Sequence, residues 1–99
     1  FIKTDLEGSD YTVFLTIKDI IKQYMPVIQS EINGVMSRSI RGDYIKELKA
    51  IGYCVFSLNG EMLDSLRTLT QAMIDSKDTF DIFAIPTNMV EKFKDLNVK

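Results

Sequence analysis

Few side chains here are equipped for chemistry. The chain has no histidine, so the Ser-His and Cys-His pairs, the usual general base near neutral pH and the commonest metal ligand are missing. The single cysteine, Cys54, stands in an apolar run. It reads as a small hydrophobe rather than a reactive thiol, and one thiol excludes an intrachain disulfide. The glycines Gly8, Gly34, Gly42, Gly52 and Gly60 are isolated, so there is no phosphate-cradling loop. The carboxylates Asp5, Asp10, Asp19 and Asp81 remain. Metal-assisted chemistry would need several of them to converge, and their spacing does not require it. The expectation is a non-enzymatic chain with no metal and no cofactor.

Two sets of residues could instead recognise a partner. The first is Asp64-Ser65 with Arg67, near the start of a stretch whose apolar residues Met62, Leu63, Leu66, Leu69 and Met73 recur at helical spacing. An exposed hydroxyl at a helix N-terminus suits phosphorylation, because added phosphate meets free N–H groups there. The second is the segment about 38–51, where Arg38, Arg41, Lys46 and Lys49 outnumber Asp43 and Glu47. The segments before and after it are net acidic. Arg41-Gly42-Asp43 also spells the integrin-binding tripeptide, but within an expected helix rather than on a loop tip.

Positioning these residues falls to the following predicted elements. Tyr11, Val13, Leu15 and Ile17 alternate, which predicts a β-hairpin over residues 1–17 with its turn at Glu7-Gly8-Ser9-Asp10. Thr16 and Asp19 then suit a helix start. Ile17, Ile20, Ile21, Tyr24, Ile28 and Ile32 predict a helix that Pro26 kinks or breaks near Tyr24-Met25. A helix over 39–51 carries the stripe Ile40, Tyr44, Ile45, Leu48 and Ile51 and ends at Gly52. Strands are expected at 53–58 and 79–85, parallel if they are neighbours. Asn88 with Glu91 suits the start of a last helix bearing Val90, Phe93 and Leu96. The expected core includes Val13, Leu15, Ile17, Ile21, Ile28, Leu48, Val55, Phe56, Leu66, Leu69, Ile82, Phe83, Ala84, Val90 and Phe93.

The order of these elements resembles STAS domains (sulfate-transporter and anti-sigma-antagonist domains). Val55-Phe56-Ser57-Leu58, Leu63-Asp64-Ser65, Phe80 to Ile85, and Pro86 with Val90, Phe93 and Leu96 carry the resemblance. It covers the C-terminal half. It implies that Asp64-Ser65 opens a helix facing a partner kinase and that phosphorylation of the hydroxyl switches partner binding. Arg67 stands where the family has glycine, and the helix over 39–51 has no family counterpart.

The alternative is a winged-helix-like DNA-binding domain. Residues from Ser30 would form its support helix, 40–51 its recognition helix, and Cys54 to Leu58 the start of a wing. Arg38, Arg41, Lys46 and Lys49 would then meet phosphates.

The chain has 99 residues, 45% hydrophobic and 26% charged, with net charge −2. That balance is globular rather than disordered. It gives no general attraction to nucleic acid or anionic membrane, and no apolar run is long enough to span a bilayer. A cytoplasmic location is expected, and the start at Phe1 reads as a fragment of a longer chain. The fold class expected is a single small α+β domain with a four-stranded mixed sheet, an N-terminal hairpin, and helices mainly on one face. The function expected is a regulatory or protein–protein interaction module, with a structural assembly domain of a larger viral or bacterial protein as a further alternative.

Overall fold

The computed structural model describes residues 1–58 and 66–92. In chain order the elements are β1 (Ile2–Thr4), α1 (Asp10–Tyr24), β2 (Ile28–Ile32), α2 (Arg38–Ala50), β3 (Tyr53–Leu58), β4 (Leu66–Thr68), α3 (Gln71–Asp75) and β5 (Phe80–Pro86). A 3-10 turn, Thr87–Met89, follows. The fold is α+β with a mixed sheet of five strands where four were expected, ordered β1-β2-β5-β3-β4. β1 and β2 are parallel, and the other pairings are antiparallel.

The sheet carries three crossovers. α1 joins the parallel neighbours β1 and β2. α2 joins β2 to β3, which run the same way with β5 between them. α3 joins β4 to β5, which also run the same way, with β3 between them. Right-handed crossovers put all three helices on one face. There Phe14, Ile21, Tyr44, Ile45, Leu48 and Ile74 pack on Ile28, Ile32, Val55, Ile82 and Ala84. On the other face Phe83, Ile85 and Val90 form a smaller cluster with Val27, Cys54, Phe56 and Met89.

Four expectations are corrected. The second hairpin arm is the first half of α1, so there is no N-terminal hairpin. Alternation at 11, 13, 15 and 17 loses to the helical spacing of Asp10, Phe14 and Ile21, which α1 buries. Its β-branched content shows at Ile17, whose φ of −107° and ψ of 15° kink the helix.

Next, residues 28–32 are a strand and not a helical continuation. The helix stops where Pro26 requires it, with Met25 in the left-handed region (φ 45°) and its N–H donated to Ile21. Ile28 and Ile32 lie four apart, a spacing that also puts them on one face of a strand, with Ser30 between them.

Third, Leu66–Thr68 is a strand. It pairs with β3 in a ladder that sets Phe56 opposite Thr68. Finally, β3 and β5 are neighbours but antiparallel, because the chain reverses through β4 before α3 returns it.

The elements that matched have local causes. Ser37 caps α2 by accepting the Ile40 N–H at 3.1 Å. Past Ile51 at the end of the helix, Gly52 takes φ +112°. Within the expected core, Leu15 is 46% exposed. Its place is taken by Phe14, one position earlier.

Candidate functional site

A buried polar series fixes the helical face. Tyr44 donates to Ser30 Oγ at 2.9 Å, and Ser30 donates to Asp10 Oδ2 at 3.1 Å. Thr4 also donates to Asp10, and the Leu6 N–H reaches Asp10 Oδ1 at 3.1 Å. The hydroxyl protons therefore run toward one carboxylate, which suits its acceptor-only chemistry. Asp10, Ser30 and Tyr44 are all buried. Burial pushes the Tyr44 phenol up to about 12. The series ties β1, β2, α1 and α2 together, and its groups are closed to a substrate, so its role is structural.

Tyr44, held this way, anchors an aromatic cluster. Its ring lies 5.3 Å from both Tyr11 and Phe14, a distance that favours tilted aromatic contact. Above this cluster α1 and α2 leave a groove. Its 340 Å³ hollow is lined by Tyr11, Asp43, Lys46, Glu47 and Ala50. Lys18 of α1 bridges to Glu47 of α2.

Leu15 lies on the same side of α1 as Tyr11 and Lys18, four and three residues away. Ile40 holds the matching place on α2 relative to Tyr44 and Asp43. Val35 lies against Gly8, in the connection before α2. Leu15, Val35 and Ile40 are 46%, 78% and 41% exposed. The groove thus has an apolar rim and a charged hollow. Burial raises the Tyr11 phenol, with Glu47 and Asp43 adding to the shift and Lys18 opposing it. Such a surface can bind. Among the described residues, no group of three or more His, Cys, Asp or Glu is placed to hold a metal ion.

The sequence-derived sites fare differently. Asp64 and Ser65 lie outside the described residues. Arg67 is on β4, exposed, and its carbonyl accepts the Ser57 hydroxyl at 3.3 Å. Of the basic set, Arg38, Lys46 and Lys49 are exposed, but Arg41 is 0% exposed. Arg41 cannot meet a phosphate, nor serve an integrin-binding tripeptide, which here lies inside α2. The support helix of the winged-helix alternative is strand β2. The proposed wing is an interior strand flanked by β5 and β4.

Arg41 instead binds four carbonyls. Nη1 donates to Ser76 at 2.8 Å and, at 3.5 Å, to Met73; Nη2 donates to Asn33 at 2.9 Å and Asp78 at 2.6 Å. Its guanidinium carbon lies 5.6 Å from the Phe80 ring centre. Burial holds its pKa below the usual value, with Asp78 opposing. It latches the β2–α2 and α3–β5 connections together.

Among the singled-out carboxylates, Asp5 sits beside Glu31. Asp81 is opposite Glu31 in the β2–β5 ladder and accepts Gln29 Nε2 at 3.1 Å. Asp19 is on α1, apart from them.

Nothing in the sequence marks Leu15, Val35 or Ile40 as a site; alternation places Leu15 in the core, and exposure is a tertiary property. Arg41 did leave a signal, since it falls in line with the buried stripe of Tyr44, Ile45 and Leu48. No protein-family model, curated protein or solved structure matches this chain.

Proposed function

We propose that this chain is a non-enzymatic protein–protein interaction module with a regulatory role, and that the groove between α1 and α2 is its binding face. The observation that carries the reading is the hollow that Tyr11, Asp43, Lys46, Glu47 and Ala50 line between α1 and α2, with the apolar side chains Leu15 and Ile40 exposed on the two helices that form it. Exposed apolar side chains gathered beside a groove mark interaction surfaces, whereas single scattered ones do not. The charged lining of Asp43, Lys46 and Glu47 supplies orientation.

A photo-crosslinking side chain placed at Leu15, with Lys49 as the control position, tests this in cells. Capture of a defined protein from Leu15 but not Lys49 is the expected result, and it should be lost when Ile40→Glu is added. Equal capture from both positions, or capture indifferent to Ile40→Glu, would remove the groove from consideration.

A finer proposal keeps the switch of the STAS resemblance without the helix it implies, since Leu66–Thr68 is a strand: a charge at Ser65 alters that binding. Native chain, Ser65→Ala and Ser65→Asp are then compared in the same crosslink. Loss with Ser65→Asp alone is expected, and equal yields from all three would sink the switch.

A further inference from the structure

Among the described residues the sheet ends on β1, which has β2 as its neighbour on one side only. In that parallel pair the Ile2 N–H donates to the Val27 carbonyl at 2.8 Å. By strand alternation the backbone groups of Ile2 and Thr4 face β2, and those of Lys3 face the open edge. Lys3 pairs in register with Gln29, so its side chain shares the sheet face of Glu31, away from the helices. Asp5 reaches that same face, since its carboxyl adjoins that of Glu31.

The charges along this edge are unbalanced. For Glu31, the Asn33 amide pulls the carboxyl down, but burial and the adjoining Asp5 outweigh it and leave the group above its ordinary value. Two carboxyls therefore crowd one another, and among the described residues neither is in a salt bridge. Lys3, two residues along the same edge, is exposed and enters no ion pair among the described residues.

Above the edge, α1 presents an apolar flank. Tyr11, Phe14 and Lys18 face α2. Ile20 and Tyr24 project on the opposite side and are 57% and 71% exposed. Phe1, at the start of the strand, is exposed as well.

We propose that this edge is a self-association surface. A second copy of the chain adds its β1 antiparallel across it, with Lys3 of each copy opposite Asp5 of the other. The pattern is self-complementary in one register only. Centred on Lys3, a two-fold pairing would put the two ammonium groups directly opposite each other, which is destabilising. Centred on Thr4, it makes two Lys3–Asp5 pairs and brings each ammonium beside a Glu31 carboxyl. The same dyad pairs the open backbone groups of two edge strands. It also brings the two α1 flanks together and takes Ile20 and Tyr24 out of water, as an isologous interface requires. This surface is separate from the α1/α2 groove and shares none of its residues.

The test is the solution mass of the chain across a concentration series, by sedimentation equilibrium. The native chain should be a dimer that dissociates on dilution. Lys3→Glu and Asp5→Lys should each weaken association about tenfold or more, because each sets like charges opposite. Mixed in equal amounts, the two variants should recover a dimer, since Glu at 3 meets Lys at 5 and Asp at 5 meets Lys at 3. Tyr24→Glu should weaken the dimer without being rescued in such a mixture. A native chain that stays monomeric throughout overturns the proposal. So do single variants that associate as the native chain does, or a mixture that recovers nothing. Circular dichroism of each variant confirms that exposed positions were changed without loss of fold. Crosslinking at Leu15 and the mass series report on different surfaces, so either reading can fail alone.

Discussion

Arg41 shows how one residue separates a reading by type from a reading by place. As an arginine on a basic helix it looked like a phosphate contact. Buried under residues 73–80, it donates to carbonyls on both sides of two connections. A buried guanidinium is costly to desolvate, and truncating it strands its acceptors. Arg41→Ala is expected to lower unfolding free energy by about 3 kcal/mol, read from urea denaturation. A loss like that of an exposed lysine would show that the latch contributes nothing.

The tyrosines give a second residue-scale outcome. Tyr44 and Tyr53 are both pushed by burial from 10.0 to about 12. The folded state holds these protons more tightly, so their contribution is complete below pH 10 and is lost as pH rises through about 12. Urea midpoints measured across that range should fall for the native chain and fall less steeply for Tyr44→Phe. Parallel curves would place the alkaline sensitivity elsewhere.

At the scale of elements, the two glycines flanking the start of α2 make opposite predictions. A Cβ on Gly34 would lie 2.6 Å from the Lys77 carbonyl oxygen, and the Gly34 N–H already bonds Thr79 Oγ1 at 2.8 Å. Gly34→Ala must push two connections apart, at a cost of about 1–3 kcal/mol by the standard of overpacked sites. A Cβ on Gly42 meets nothing within 4 Å, and the residue sits inside α2. Gly42→Ala should stabilise by about 1 kcal/mol through helix propensity. Thermal melts of the two variants should move in opposite directions. Matching shifts would mean that the two connections do not touch as described.

Helix α1 carries the lesson of this scale. Val13, Thr16, Ile17, Ile20 and Ile21 favour strands locally, yet the segment is helical because it must cross from β1 to the parallel β2. Local preference yields to that connection.

Across the molecule, β5 is the central strand, hydrogen-bonded to β2 and β3, while β1 and β4 are three-residue edges. Native-state hydrogen exchange should therefore be slowest at Ile82 to Ile85 and fastest at the edges. If self-association occurs through β1, the Lys3 amide should gain protection as concentration rises while β4 stays unchanged. Protection spread evenly over the sheet would contradict both the strand order and the edge pairing.

Much of the architecture followed from sequence because its causes are local. Gly52 follows the end of α2, Pro26 ends α1, and the apolar runs at 53–58 and 80–85 are strands in the fold. The alternation of apolar runs and helical stripes was enough to indicate an α+β fold with a mixed sheet. Strand direction and order needed the whole molecule, since antiparallel β3 and β5 depend on β4 reversing the chain between them. The same holds for sites. Residue types pointed to Arg38, Arg41, Lys46, Lys49 and Asp64-Ser65, but whether a side chain faces water depends on packing across elements distant in sequence. That packing buries Arg41 and leaves Leu15, Ile20 and Tyr24 exposed on α1.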